Sequence, residues 1–392
     1  MTPSARVQAA IELLDQVLEA ARSGGAAADT LIARYFKERR YAGSKDRRAV
    51  RDLVYRAIRR SGDAPSSGRS AMLGLVQDDP ALAELFDGSA HGPAPVADGE
   101  EAASSSLLPG WIVPRLDPLI GEAEWPALLE RAPLDLRVNR LSGAREDALA
   151  QLAEAQPTPL SPLGLRLPEG FRVEETDAWR SGLVEIQDEG SQLLALACAA
   201  KPGETVLDLC AGAGGKTLAL AAEMANQGRI VASDADRGRL SRLTPRLERG
   251  GVTNVEPRLL DPGREAEQLA DLAGTFDLIL VDAPCSGSGT WRRNPETRWR
   301  LTPKRLDQLV ALQARLLDVA AGLLKPGGRL VYAVCSLLAE EGRDQAAALS
   351  VRSSLDPQPV PLTAGRPAGT GRLLSPAPDG TDGFFVACWS RP

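Results

Sequence analysis

At 392 residues, with 43% hydrophobic and 25% charged residues, the chain has the composition of a soluble globular protein with material for two or three domains. Five dispersed cysteines without a C-x-x-C pair, and one histidine, His91, in a Gly/Pro/Ala-rich stretch, argue against a zinc site, a disulfide framework and histidine acid–base chemistry. The net charge of −6 argues against a nucleic-acid partner only on average, because local patches decide phosphate binding.

No apolar run approaches the roughly 18 residues of a membrane span, and no apolar signal core follows Met1. A cytoplasmic protein, monomeric and without metal, is the expectation. Residues 4–60 carry apolar side chains at three- and four-residue spacing in "ARVQAAIELLDQVLEAA", "DTLIARYFKERR" and "DRRAVRDLVYRAIRR", the period of amphipathic helices. From Asp29 to Arg60 there are eleven Lys/Arg against four Asp/Glu. Arg47, Arg48 and Arg51 on these helices are candidate RNA contacts. A further helical piece, "SAMLGLVQDDPALAELF", completes a small helical domain over residues 1–87.

Residues 88–105, in "GSAHGPAPVADGEEAASSS", have the composition of a flexible linker. Over 106–180, "LDLRVNRL" reads as a strand, "REDALAQLAEA" as a helix and "LSPLGLRLP" as a strand, a small α+β module. From 181 to 392 strands and helices alternate. "TVLDLC", "RIVASDAD", "NVEPRLLD", "FDLILVDAPC" and "GGRLVYAVCS" are buried-strand candidates, separated by helices such as "GGKTLALAAEMA" and "PKRLDQLVALQARLLDVAAGLL". This predicts an α/β domain with a parallel sheet covered on both faces. "DGFFVACW" reads as a last strand on an antiparallel edge.

"VLDLCAGAGGKT" runs a strand into a glycine-rich turn and then a helix, which lets the backbone approach a ligand and offers it unpaired N–H groups. A phosphate-loop pattern fails for want of its first glycine. A dinucleotide fingerprint fails because Thr217 occupies the third glycine position after Gly212 and Gly214. Asp234 ends the next strand, where a carboxylate can accept both ribose hydroxyls of an adenosine. Asp261 closes the third strand candidate and is placed to face an adenine. A glycine loop and two aspartates on successive strands fit an adenosine ligand without a pyrophosphate, and S-adenosylmethionine is the candidate cofactor.

Cys285 in "DAPCSGSG" and Cys335 in "AVCS" lie just beyond the apolar cores of the fourth and fifth strands. If these strands are neighbours, about 4.8 Å apart, the two thiols face one another at the carboxyl edge, where open α/β sheets bind ligands. Cys198 and Cys388 lie within apolar runs and read as inert core thiols. Cys210 borders the glycine loop, with backbone contact to cofactor and no chemistry. Trp291 to Arg305 holds six Lys/Arg against one Glu. Its aromatic and basic side chains read either as an RNA contact, through Arg292, Arg293 and Arg298, or as a segment anchored by Trp291 and Trp299.

"LDLCAGAGGKT", "DAPCSGSGTWRRNPETRW", "YAVCSLLAEEG", "DGFFVACW" and "IQDEGSQL" together resemble the Sun/RsmB-type RNA (cytosine-5) methyltransferases over residues 181–392. The module before them is similar to that family's RNA-binding module, and the N-terminal helices to its NusB-like domain, though shorter. The resemblance implies a Rossmann-like S-adenosylmethionine-dependent methyltransferase acting on RNA, small-subunit ribosomal RNA above all. It implies Cys335 as nucleophile and Cys285 as the aid to product release. It also implies a cofactor site of Cys210, Ala211, Gly212, Ala213, Gly214, Gly215, Lys216, Asp234, Asp261 and Asp282. Asp282 is available to the base as well, and Lys216 to neutralise carboxylates or bind the methionine carboxylate. Ala213 departs from the family, which has proline there, and implies a looser loop. Competing readings are a transfer-RNA enzyme of the same chemistry, a DNA cytosine-5 methyltransferase with Cys285 as nucleophile, and a non-catalytic RNA-binding or antitermination factor.

Overall fold

Pro3 at the first helical position and the Thr2 hydroxyl, which accepts from Ala5 N at 3.1 Å, start helix α1 (Pro3–Ser23). Helices α2 (Ala28–Glu38), α3 (Ser44–Arg60) and α4 (Gly68–Asp78) follow, the last capped by Ser67. Their apolar stripes, with Leu14, Leu18, Phe36, Val54, Ile58 and Met72 at the centre, make one core. The helical tail expected to run on to Phe86 breaks at Pro80, which begins a 3-10 turn over Pro80–Leu85, because proline there cannot donate to the preceding turn.

A computed structural model describes all 392 residues, and they divide into two units. The first is Met1–Leu116, Gly121–Glu130 and Thr290–Arg305. Residues 88–105 lack helix and strand, but they are tied to α4 instead of hanging free as the linker composition suggests. Arg69 donates to the carbonyls of Ala94 (3.0 Å) and Pro95 (3.1 Å), it pairs with Glu100, and Ala103 N donates to Ser70 O at 2.9 Å.

The basic segment after Gly289 also belongs to this unit, which corrects its reading as an RNA contact through Arg298. Arg298 is 1% exposed and donates to the carbonyls of Pro295 (3.0 Å), Ile58 (2.7 Å) and Leu107. Trp299 joins the helical core and its indole donates to Ser61 O at 2.9 Å. Arg292 is buried too, while Arg293 is partly exposed. Buried donors need acceptors, and for Arg298 and Trp299 the main chain supplies them. The tryptophans are anchors, and Arg298 is a bolt with no charge to offer a phosphate.

The second unit is Asp117–Ile120, Arg131–Gly289 and Leu306–Pro392. It begins with a four-stranded antiparallel sheet of β1 (Leu134–Val138), β2 (Gln156–Pro157), β3 (Gly164–Leu167) and β4 (Val184–Ile186), in the order β2-β3-β1-β4. Helices α5 (Arg145–Gln151) and α6 (Asp177–Arg180) accompany it. Its last strand lies beyond residue 180, so the module extends past the boundary expected from sequence.

The larger sheet contains β5 (Thr205–Asp208), β6 (Arg229–Asp234), β7 (Val255–Leu259), β8 (Phe276–Asp282), β9 (Leu324–Val334), β10 (Asp356–Gln358), β11 (Arg366–Ala368), β12 (Gly371–Leu374) and β13 (Phe384–Ser390). Helices α7 (Glu189–Ala197), α8 (Gly215–Glu223), α9 (Arg237–Leu240), α10 (Leu243–Arg249), α11 (Glu265–Gln268), α12 (Pro303–Leu323) and α13 (Arg343–Arg352) alternate with it. Strand order is β11-β12-β13-β9-β8-β5-β6-β7, with β10 paired to β13. The five strands β7, β6, β5, β8 and β9 are parallel, and β13 joins β9 antiparallel. The "DGFFVACW" strand is thus antiparallel as expected, but it is internal and no edge, because β12 and β10 pair with it. Both its faces are buried, which is why it reads as an unbroken apolar run.

The chain winds outward from β5 to β7 and then returns to β8 on the other side of β5. Between β5 and β8 successive connections leave in opposite directions, and the crevice at their carboxyl ends is where such sheets hold ligands.

Candidate active site

Four strand ends meet at this crevice. The glycine loop leaves β5, Asp234 ends β6, Asp282 ends β8, and Cys335 follows β9 directly. Gly212 and Gly214 have φ of +57° and +84°, in the left-handed region that glycine adopts without penalty. A Cβ on Gly214 would stand 2.1 Å from Leu243 Cδ1, whereas one on Gly212 would meet only Asp234 Oδ2, at 4.0 Å. The loop is therefore packed on its helix side and open on its Asp234 side.

Asp234 accepts Gly212 N at 2.8 Å and Asp236 N at 2.7 Å, one on each carboxylate oxygen. Each oxygen keeps a lone pair for a hydroxyl. Asp261 lies two residues beyond β7 and is exposed; its carboxylate accepts from Gln268 Nε2 at 2.9 Å, while Leu260 N donates to Asp234 O at 2.9 Å. Ala213 replaces a family proline, and its carbonyl accepts from Arg246 at 2.7 Å; Arg246 also pairs with Glu185 of β4 at 3.0 Å. Ala211 and Gly215 complete the turn into α8.

Lys216 is 9% exposed and bonds Asp282 Oδ2 at 2.7 Å. Lys216 is therefore a buried ion-pair partner, as expected for a residue that neutralises carboxylates. Burial alone would pull its pKa down; the Asp282 carboxylate outweighs burial, with smaller help from Cys335 and Asp208, so the net shift is upward. Beneath the pair, Asp208 is 1% exposed. It accepts from Thr217 Oγ1 at 2.7 Å on one oxygen, and its other oxygen is buried without a partner. Burial pushes this carboxyl up to about 7, the Thr217 hydroxyl opposing and the Asp282 charge adding to it.

The sulfurs of Cys285 and Cys335 lie 3.3 Å apart. The parallel register that sets Asp282 opposite Ala333 brings the two loops side by side. Ala283 N donates to Ala333 O (2.9 Å) and Gly289 N to Cys335 O (3.0 Å), lacing them together. A Cβ on Gly289 would stand 2.0 Å from Gly383 O, so only glycine lets this loop close against the start of β13. The Cys335 sulfur, followed by burial, pushes the Cys285 thiol well up. Cys210, also in the loop, is pushed up by burial and then by Asp234 and Asp208, and is a poor nucleophile. Cys198 and Cys388 are 1% and 7% exposed within the core.

The two thiols, the loop, Asp234, Lys216 and Asp282 thus come together. Arg47, Arg48 and Arg51 lie exposed on α3 in the other unit, with Arg51 paired to Asp29 at 2.9 Å. Sequence reading missed Asp208, Glu341 and Gln313, all in this unit's buried interior. Glu341 stands six residues after Cys335 in the quoted "YAVCSLLAEEG", but spacing alone does not show a loop doubling back. No group of three or more His, Cys, Asp or Glu is gathered in a way that could hold a metal ion, and no helix is long and apolar enough to cross a membrane.

Known proteins match this arrangement. Residues 195–390 match the family described as 16S rRNA methyltransferase RsmB/F, and residues 108–174 match the RsmF/B-like ferredoxin-like domain. The chain is similar to the ribosomal RNA small subunit methyltransferase B of Salmonella newport, 37% identical over 289 residues, covering 72% of this chain and 66% of that protein. The protein of the same description from Klebsiella pneumoniae is 38% identical over 300 residues, 74% and 68% of the two chains. This chain therefore spans about two thirds of the length of these relatives. Among solved structures, that of PH0851 superposes with a TM-score of 0.77 at 25% identity, over 100% of this chain and 99% of that one.

Proposed function

The chain belongs to the 16S rRNA methyltransferase RsmB/F family, and on that premise we propose that it methylates carbon 5 of a cytidine in small-subunit ribosomal RNA through a covalent cysteine adduct. The observation that carries the reading is the pair of sulfurs 3.3 Å apart at the ends of adjacent parallel strands, beside a loop shaped for an adenosyl ligand. A methyltransferase working on an oxygen or an exocyclic nitrogen needs no thiol, because those atoms are nucleophiles already. Carbon 5 of cytosine is a poor one, and a thiolate on carbon 6 makes it enamine-like.

S-adenosylmethionine, the methyl donor of this family, supplies the electrophilic methyl that the activated carbon takes up. Cys210 to Lys216, Asp234 and Asp261 would hold it: the open side of Gly212 and the spare lone pairs of Asp234 fit its ribose. Cys335 supplies the thiolate, since Cys285 beside it is held protonated. Asp282, fixed by Lys216, is available to accept from the exocyclic amino group of the base and, when it carries a proton, to donate that proton to the ring nitrogen, where addition of the thiolate places negative charge. Lys216 in turn keeps that carboxylate in place at the mouth of the crevice. When water takes the carbon 5 proton, the C–H electron pair forms the 5,6 double bond, the bond from sulfur to carbon 6 breaks and its electron pair returns to the Cys335 sulfur. Cys285 is the adjacent thiol available to assist this release.

Mapping 5-methylcytosine in ribosomal RNA of a deletion strain, and again after complementation, tests the reading. One cytidine of the small-subunit RNA should lose and regain its methyl group. Loss of the mark from transfer RNA instead would overturn the substrate, and no loss anywhere would overturn the reaction.

Asp234→Ala should weaken cofactor binding about ten- to a hundredfold, because a charge-assisted hydrogen bond contributes roughly 1.5–3 kcal/mol. Calorimetry on the folded variant measures this, and wild-type affinity would take Asp234 out of the site. The exposed face of α3 should contribute affinity without choosing the base. Changing Arg47, Arg48 and Arg51 together to glutamine should lower RNA affinity and reduce the slope of log affinity against log salt by about 2. A salt titration with the wild-type slope would make this a solvated helix face and nothing more.

A further inference from the structure

Behind the two thiols lies a buried carboxylate that the mechanism above does not use. Glu341 is fully buried. Its Oε1 accepts Ser286 N at 2.8 Å and Gln313 Nε2 at 2.9 Å, and its Oε2 accepts Ser336 Oγ at 2.6 Å. Ser286 follows Cys285 in the chain and Ser336 follows Cys335, so one side chain grips the next residue of each cysteine loop. Gln313, on α12 and also fully buried, donates a further bond to Pro284 O at 2.9 Å, on the other side of Cys285. The hydroxyls of Ser286, Ser288 and Ser336 close a ring at 3.1–3.2 Å. The Tyr332 hydroxyl holds the Glu341 main-chain carbonyl at 2.6 Å. Each contact to the Glu341 side chain comes from a group able to donate.

We propose that Glu341 is a positioning residue for the cysteine pair, fixing the approach of Cys285 to Cys335 through the residue that follows each of them and making the two sulfurs unequal as nucleophiles. A buried carboxylate holding both loops costs several kcal/mol in desolvation unless its partners are complete, and a core of apolar residues would close these loops as well. What apolar residues would lack is the charge. Glu341 adds to the forces that push Cys285 up, and Cys335 adds to those that push Lys216 up. A negative charge opposes a thiolate near it, so Glu341 adds to the disadvantage of Cys285 as a nucleophile. Asp282 is also nearby, but its charge is matched by Lys216 at 2.7 Å.

The inference rests on the cytosine-5 reading for its meaning, yet its test needs no RNA. The full chain is alkylated with iodoacetamide across the range of thiol ionisation, about pH 6 to 10, and the rate at each cysteine is read by mass spectrometry. In the wild type Cys335 should react faster than Cys285. Glu341→Gln keeps the shape and removes the charge, so the preference for Cys335 should narrow about tenfold or more. Ser336→Ala breaks one of the bonds and leaves the charge, so it should slow methyl transfer while the preference stays. Equal or reversed reactivity in the wild type would overturn the proposal even if Glu341→Gln does not fold. An unchanged preference in a folded Glu341→Gln protein would overturn it too. A merely structural glutamate would lower stability without moving the alkylation profiles. If the alkylation pattern holds but no covalent RNA complex is ever formed, the cytosine-5 reading is what fails.

Discussion

Cys335→Ala protein should bind cofactor and methylate nothing, while Cys285→Ala protein should become stuck to its RNA. Removing a covalent nucleophile lowers turnover by on the order of 10⁴-fold or more, and no second sulfur takes over from Cys335. Cys285 stands 3.3 Å away but is held protonated by its neighbour and by burial, and a thiol is a far weaker nucleophile than a thiolate. In Cys285→Ala the attack by Cys335 and the methyl transfer both remain possible. Only the elimination slows, so the adduct accumulates and survives denaturing electrophoresis with its bond to Cys335. The double variant should trap nothing. A DNA-type mechanism, with Cys285 as nucleophile, predicts the reverse: Cys335→Ala would trap RNA through Cys285. Gels of the three variants run side by side with labelled RNA decide between the two, and a trapped complex in Cys335→Ala alone would falsify the assignment.

How much of this was legible in the sequence depends on whether a feature is local. The pairing of the two thiols was readable, because "FDLILVDAPC" and "GGRLVYAVCS" both show an apolar run stopping just short of a cysteine. Neighbouring parallel strands then bring fifty residues of separation down to a contact. The glycine loop was readable for the same reason: strand, turn and helix are contiguous, and φ near +60° at Gly212 is a glycine signature. Arg298 was not. A basic, aromatic segment looks the same whether its guanidinium faces water or three main-chain carbonyls, and those carbonyls belong to residues up to 240 positions away. The edge assignment of "DGFFVACW" failed likewise, because β10 is three exposed residues with Pro357 at the centre and β12 is four residues, too short to carry a strand pattern of its own. Glu341 was hidden by a turn. Six residues past a cysteine, it reads as one more charge in "AEEGRD", and only the folded chain aims it back beneath the sulfurs.

Asp208→Asn should make the protein more stable above neutral pH and flatten its stability between acid and neutral. Asp208 ends β5 at 1% exposure, with one oxygen on the Thr217 hydroxyl and the other without any partner. Burial, opposed by that hydroxyl and reinforced by Asp282, lifts its pKa from 3.8 to about 7. The unfolded chain therefore loses this proton near pH 4, while the folded chain keeps it until about 7. Between those values the folded state binds more protons, so stability falls as pH rises, by on the order of 4 kcal/mol in all. Below pH 4 both states are protonated and nothing is lost; above about 7 both are ionised and the loss is complete. Asparagine carries the same shape without the charge, its oxygen accepting from Thr217 and its amide occupying the unpartnered position at a cost of roughly 1–3 kcal/mol. The variant should consequently match or fall below the wild type at pH 5 and exceed it at pH 8 by roughly 1–3 kcal/mol. Urea denaturation at the two pH values measures this. Parallel curves for the two proteins would mean that Asp208 is ionised throughout, with Lys216 carrying the charge of all the carboxylates around it.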